Sequence, residues 1–420
     1  VVYGGRVKPY HSLARNFHRV IAERDTFYDL EGKKSDPIVW LLDVISGSEK
    51  SLKHKIFRID NLEVVDLLGL ERRQRYRYAY EEFDKNVTQL AETAQKIYQI
   101  EGDKRTAYEK KVLLVTRKID MFQILAQSHY PQYAKTSAEY RQFDQFNKNF
   151  AQAGLPLPMP PLDDKSSDWK PFMAAFLDYA SGDRKVNIEK GEEITRNFAL
   201  LLNAYRDNNA QEFDQYLELY QRDIKTIKSI QQKHIESRIE TLNTELTQLG
   251  KLSLEEQKSR QAEIHSELGR LEKQHELWFE NIEKMHAERL FNHSDPFFLA
   301  WLTTIFVLVI TVFGWLATNI NKAFSEQFRL TSMSFMILAL GLATYGMIAR
   351  SIISGSPPIT NLFSTAIFIA WSSMALGLFI ELVFKKGLGN AIGSIIGFIT
   401  LIIAYFLAGD GDTLEMMRAV

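Results

Sequence analysis

The sequence predicts an all-helical membrane protein. A helical water-facing region with an antiparallel coiled-coil hairpin leads into four transmembrane helices. Three observations predict this architecture. Charged residues are dense before Phe297 and almost vanish after it, although the mean hydropathy of -0.20 looks like that of a soluble chain. Four long apolar runs then follow with short connectors. Ahead of them, apolar residues recur in alternating steps of four and three over two successive stretches, the signature of a helical seam.

Most of the chain before Phe297 has helical texture, with little strand-like alternation and breaks at Gly or Pro clusters. GGRVKP, Gly4 to Pro9, reads as an ordered turn or extended lead-in. Asp36-Pro37 supplies an N-cap and first-turn pair for a helix running through Val44, because proline's fixed φ and missing N–H suit a helix start. In FRIDNLEVVDLLGL, Phe57 to Leu70, a helix starts near Asp60 or Asn61 and stops at Gly69. GLPLPMPP, Gly154 to Pro161, is the strongest boundary and reads as a semi-rigid connector of polyproline type. These marks divide the chain into a helical domain 1–153, a linker 154–161, a helical region 162–296 and a membrane domain 297–420.

Within 162–296, Ile235, Ile239, Leu242, Leu246 and Leu249 form one seam. After Gly250 the Ser253–Glu256 pair has capping-box spacing. Ile264, Leu268, Leu271, His275, Trp278, Ile282 and Met285 form the return seam. The short turn favours packing within one chain, with an intermolecular coiled coil as the alternative.

Crossing the ~30 Å hydrocarbon layer takes about 20 apolar residues. Phe297 to Ala317 and Leu330 to Ala349 carry no charge, and two further runs cover Leu362 to Val383 and Gly389 to Ala408. Lys322 and Arg329 lie between the first two spans and Lys385-Lys386 between the last two, whereas SGSPPITN follows a lone Arg350. By the positive-inside rule the Pro-rich loop, the first 296 residues and the C-terminal end face outward. Glu381 is the one acid near a span. It reads as snorkelling or ion-paired beside Lys385, because an unpaired charge there is expensive.

The basic and acidic counts, 51 and 52, leave a net charge of -1 and give no argument for nucleic acid. Without cysteine, these residues offer no disulfide, thiolate metal site or thiol nucleophile. The opening at Val1 and the apolar close at Ala419-Val420 read as those of a fragment or processed product. His11 and His18 lie two helical turns apart, about 10 Å, too far to share a metal. His265, His275 and His286 are likewise dispersed along helices. His293, in FNHSDPF at the mouth of the first span, is the weak candidate for a ligand bound at the membrane surface. No phosphate loop, HExxH or GxSxG pattern occurs, so no catalytic or metal-binding residue is assigned.

Several stretches, in order, resemble one family. PPITNLFSTAIFIAW, Pro357 to Trp371, resembles the segment that opens an early span in CcsA-type cytochrome c biogenesis proteins, with Phe363 standing where Tyr is common. GLGNAIGSIIGFITLIIAYFLAGDGDTLEMM, Gly387 to Met417, resembles the next span and its exit. GGRVKPYHSLARN, FRIDNLEVVDLLGLERR and FNHSDPF resemble parts of the long-form members, and the whole covers about 40% of the chain. The resemblance implies a subunit of the System II cytochrome c synthetase in a bacterial cytoplasmic membrane. It also implies a ResB-type partner, apocytochrome c and haem, with membrane lipid around the spans and Pro357, Pro358, Thr360, Asn361 and Trp371 in an outer-surface loop. The family's tryptophan-rich haem segment and flanking histidines are not found here and are expected beyond Val420. A membrane sensor or transporter with an extracytoplasmic coiled-coil stalk is the rival expectation.

Overall fold

The computed structural model describes residues 1–420 except 5, 132–133, 135, 152–153, 161–168, 182–188, 249–253, 276–280, 356 and 408–420. The chain divides into two compact units, Val1–Ile282 and Glu283–Val420.

Among its described residues the first unit has the α-helices, numbered in chain order, α1 Tyr10–Ala22, α2 Pro37–Ile45, α3 Lys50–Lys53, α4 Leu62–Leu67, α5 Val87–Tyr98, α6 Ala107–Ser128, α7 Ser137–Ala151, α8 Phe172–Ser181, α9 Glu189–Arg206, α10 Ala210–Gln248 and α11 Leu254–His275. The caps explain several boundaries. Asp36 Oδ1 accepts from Ile38 N at 2.9 Å ahead of Pro37, and Asn61 Oδ1 accepts from Val64 N at 3.0 Å, so both expected helices start where their caps stand. Thr106 and Glu109 exchange side-chain and backbone hydrogen bonds at the start of α6, a reciprocal cap.

One apolar core joins these helices. α1 contributes Leu13, Phe17 and Ile21, α2 contributes Trp40, Leu41 and Val44, and α6 contributes Val112, Val115, Ile119 and Phe122. Phe198, Leu201 and Leu202 of α9 belong to the same cluster. The spacing in each case returns to one helix face, which is what burial of an amphipathic helix requires.

Three short ribbons depart from the all-helical expectation. They are β1 Val2–Tyr3 with β2 Arg6–Val7, β3 Phe27–Tyr28 with β4 Lys34–Ser35, and β5 Phe57–Arg58 with β6 Arg77–Tyr78, all antiparallel. Strands of two residues carry too little alternation to be read from sequence. The Pro-rich stretch also differs from a free spacer. Val2 and Leu157 exchange backbone hydrogen bonds at 2.9 Å, Met159 pairs with Lys170, and Leu155 and Met159 are buried. Proline leaves the intervening residues extended, so Leu155, Leu157 and Met159 keep donors and apolar side chains that the unit takes in.

Across α10 and α11, Arg238 pairs with Glu267 at 2.9 Å and Arg260 with Glu245 at 2.7 Å. Ile235, Leu242, Ile264 and Leu271 are buried. Leu249, Gly250, Ser253 and Trp278 lie outside the described residues.

The second unit contains most of α12 (Asn281–Ser294), then α13 Pro296–Ala317, α14 Lys322–Ser354, α15 Leu362–Phe384 and α16 Leu388–Leu407. Among the described residues, four helices are long and apolar enough to cross a membrane. α14 exceeds its expected 20-residue span at both ends. Its 33 residues extend about 50 Å at 1.5 Å per residue, so its ends pass beyond the hydrocarbon.

The packing of these helices inverts that of a soluble bundle. Large residues such as Phe313, Leu376, Phe379 and Ile399 point outward, while each helix buries a row of mostly small ones. α14 buries Ser332, Met336, Ala339, Ala343, Gly346, Arg350 and Ile353, in steps of four and three. α16 buries Asn390, Gly393, Gly397, Leu401 and Ala404 on a similar row. Lipid is as apolar as leucine, so helices in a membrane gain little by hiding apolar bulk. Close backbone approach and interhelical hydrogen bonds hold them together instead. Gly377 shows the consequence: a Cβ there would stand 2.6 Å from Gly389 O.

Candidate functional site

Two groups of polar and aromatic side chains mark opposite ends of the membrane helices. At the end bearing the Pro-rich loop, the backbone enters α15 through a tightly bonded corner. Asn361 Oδ1 accepts from Ser364 N at 2.9 Å, while Ser364 Oγ accepts from the Thr360 and Asn361 N–H groups at 2.9 and 3.0 Å. These bonds satisfy donors that a helix start leaves open, which accounts for Thr360-Asn361 at this position.

Two turns into α15, Trp371 Nε1 donates to Thr344 Oγ1 of α14 at 2.8 Å. The indole also stacks on Phe368, ring centroids 5.9 Å apart. Between the helices runs a cavity of about 470 Å³ lined by Met347, Ile348, Ser351 and Ile352 of α14, Phe368 and Trp371 of α15, and Pro358 of the loop. Its walls are mainly apolar. Beside it the nearly buried Arg350 guanidinium lies over the Phe363 ring, 4.8 Å from its centre. Phe297 packs edge-on against both Phe363 and Phe291, tying the starts of α13 and α15 together.

Of the anticipated loop residues, Pro358 and Trp371 meet at one cavity, Thr360 and Asn361 form the corner, and Pro357 is exposed. His293 is exposed in the last turn of α12 and is not in the cavity wall. Thr344 was missed by the sequence reading. Its only signal was its place one residue after Ala343 on the small-residue row of α14.

The opposite end carries a polar knot. Glu381 is fully buried, and its Oε1 accepts from Arg329 Nη1 at 3.1 Å and from Gly387 N at 3.0 Å. Arg329 also bonds Glu326 through Nε at 2.9 Å, and its carbonyl accepts from Asn390 Nδ2 at 3.4 Å. Trp315 Nε1 donates to Lys386 O at 2.9 Å. All four spans are thereby tied to the turn between α15 and α16. Glu381 is ion-paired, as one reading held, but its partner is Arg329 of a neighbouring helix and not Lys385. The reason is register: Ala370, Met374, Gly377 and Glu381 follow one another on the buried face of α15.

The histidines of the first unit belong to its core and edges. His18 is enclosed, with Phe27 and Trp40 centred 5.6 and 6.0 Å away, and burial pushes it down to about 4, with Arg24 adding to the effect. Burial likewise lowers His129 to about 4. Its Nδ1 lies 2.8 Å from Ser128 Oγ. His54 and Asp43 form a buried pair at 2.7 Å, and His11 faces Asp36 at 3.2 Å. Among the described residues, no three His, Asp or Glu side chains are placed to hold a metal ion. The cavity between α14 and α15 offers haem iron one thioether, Met347, and no imidazole, so its donor set does not fit haem.

No family model matches the chain, and no curated protein matches its sequence. What the fold and site define directly is a helical membrane protein with four apolar helices, a capped aromatic corner at one end and an ion-paired knot at the other.

Proposed function

We propose that this chain is the scaffold and docking part of a CcsA-type subunit, in a System II complex that attaches haem to apocytochrome c outside the cytoplasm. The observation that carries this reading is the behaviour of the Pro357–Trp371 segment. Its residues cap α15, line the cavity and bond α14, so a stretch resembling the family's also organises one end of the unit. Residues 297–407 contain no histidine or cysteine, and the haem ligands in this reading come from other parts of the complex.

The basic end, with Lys322, Arg329, Lys385 and Lys386, faces the cytoplasm in this proposal. The Pro-rich loop and the region before Phe297 face outward from a bacterial cytoplasmic membrane. α10 and α11 act as an antiparallel coiled-coil hairpin, supported by the cross-helix Arg238–Glu267 and Arg260–Glu245 pairs, and serve as a docking arm for the ResB-type partner or apocytochrome c.

Deleting the gene tests the assembly role. Cytochromes c without covalent haem are expected, and normal haem-stained levels in the deletion strain would sink it. Affinity purification of the full chain from detergent tests docking. Recovery of neither a ResB-type subunit nor apocytochrome removes that part.

A further inference from the structure

We propose that Arg24, Arg75 and Arg77 form a binding site on the first unit for a phosphate monoester, free or carried on a lipid headgroup. The sequence concentrates four arginines between Glu71 and Tyr78. Folding separates them into two kinds. Arg72 pairs with Asp66 at 2.8 Å, and Arg73 is bonded to Glu82. Arg75 and Arg77 have no ion-pair carboxylate among the described residues, and neither does Arg24.

Chain topology brings Arg77 to the end of α1 near Arg24, with Arg75 two residues before Arg77 in the chain. β6 sets Arg77 directly across from Arg58 of β5, and Arg77 Nη1 donates to Ala22 O at 2.7 Å, the last residue of α1. Arg24 follows two residues later, with its guanidinium over the Tyr28 ring at 4.8 Å and its Nε buried without an acceptor. Two carboxylates flank Arg24 in sequence, yet both are engaged elsewhere. Glu23 holds Lys118 at 2.6 Å and Arg58 at 3.5 Å, while Asp25 holds Arg19 at 2.6 Å and Arg15 at 3.7 Å.

The electrostatics agree with the geometry. Arg77 is pushed down to about 10, chiefly by burial and then by Arg24 and Arg58, with Glu23 opposing the shift. Arg24 is lowered by burial and by Arg75. Capping of α1 accounts for Arg77 alone, because a cation suits a helix C-terminus. It leaves Arg24, which repels Arg77, and Arg75, which repels Arg24. Charges held together against folding stability are a mark of a site built for a ligand. Guanidinium forks bind phosphate oxygens in pairs, and a phosphate monoester brings about -1.5 to -2 charge near pH 7, matching several cations better than one carboxylate does.

The test uses the full chain in a non-ionic detergent. Thermal unfolding is followed with inorganic phosphate against chloride at equal ionic strength, then in phosphatidylcholine nanodiscs with and without phosphatidic acid. Arg24→Gln/Arg75→Gln is compared throughout. Without phosphate the double variant should melt no lower than the parent. Saturable stabilisation of the parent by phosphate, weakened roughly tenfold or more in the variant, supports the site with a free ligand. Variant-sensitive stabilisation confined to phosphatidic acid supports the lipid-borne ligand. No stabilisation from either source, equal stabilisation of parent and variant, or a lower melting point of the unliganded variant overturns the proposal. Arg75→Gln alone, at an exposed position, gives the same readouts if the double variant does not fold.

Discussion

The two units of this protein bury opposite kinds of side chain. Trp40, Phe17, Phe57 and Phe122 fill the first, whereas Ala300, Ala339, Ala343, Gly377 and Gly393 sit at the helix contacts of the second. The difference follows from the solvent each unit faces. Water rewards burying large apolar surface, at roughly 25 cal/mol per Å². Lipid does not, and the helices of the second unit gain from contact between backbones and from bonds such as Thr311–Ser332 at 2.5 Å.

That contrast can be broken most severely by adding bulk where backbones touch. Gly377→Leu is expected to separate α15 from α16 and abolish the monodisperse peak of detergent-purified protein. Gly341→Leu, with open space around its Cβ position, should leave the peak unchanged. Equal behaviour of the two would show that close approach does not hold this unit. In the first unit, removal of bulk is the sensitive change. Trp40→Ala should cost about 3–5 kcal/mol, read as a loss of thermal stability in that unit's transition.

Acid should also distinguish the units. His18 and His129 are held at about 4 when folded, against an ordinary value of 6.5, so the unfolded chain binds more protons between those values. The stability they contribute is fully present above pH 6.5 and is lost as pH falls toward 4. Residues 297–420 contain no histidine, so the α13–α16 helices should show no such histidine-linked loss. Melting curves at pH 7 and pH 5 measure the difference, and an unchanged first transition would contradict it. The smallest effect is sought at the aromatic corner. Trp371→Phe removes the bond to Thr344 and should cost about 0.6 kcal/mol, the average for such bonds between membrane helices. A measurable drop in detergent melting temperature with α15 otherwise intact is the expected outcome.

Particular residues show how much was legible beforehand. Asp36-Pro37, Asn61 and Gly69 act locally, through caps and a positive φ of 65° at Gly69, and their helices begin and end close to where the sequence placed them. The apolar runs were equally plain, because a membrane span is a property of one segment. The Pro-rich stretch was harder to read. Its extended backbone was anticipated, but its pairing with Val2 depends on residues more than 150 positions away. Glu381 lay between these cases. Its place after Ala370, Met374 and Gly377 already turned it inward, yet nothing local could select Arg329 over the nearby Lys385. At the candidate site, the resemblance marked Asn361 and Trp371 as motif residues of an outer loop, and the cap that Asn361 forms was not read. The cavity that Trp371 lines with Pro358 required α14 to supply Met347 and Ser351.

The sequence by itself determined the helical character, the four apolar helices and most of their limits, since hydrophobic period, length and capping chemistry operate within a few turns. Tertiary structure alone decided which helices lie in contact and which charges are paired. It also turned a Pro-rich loop and a tryptophan into the walls of one cavity. Those outcomes depend on contacts between distant segments, where steric fit at Gly377 and the need to neutralise buried Glu381 select one arrangement from many with the same local pattern.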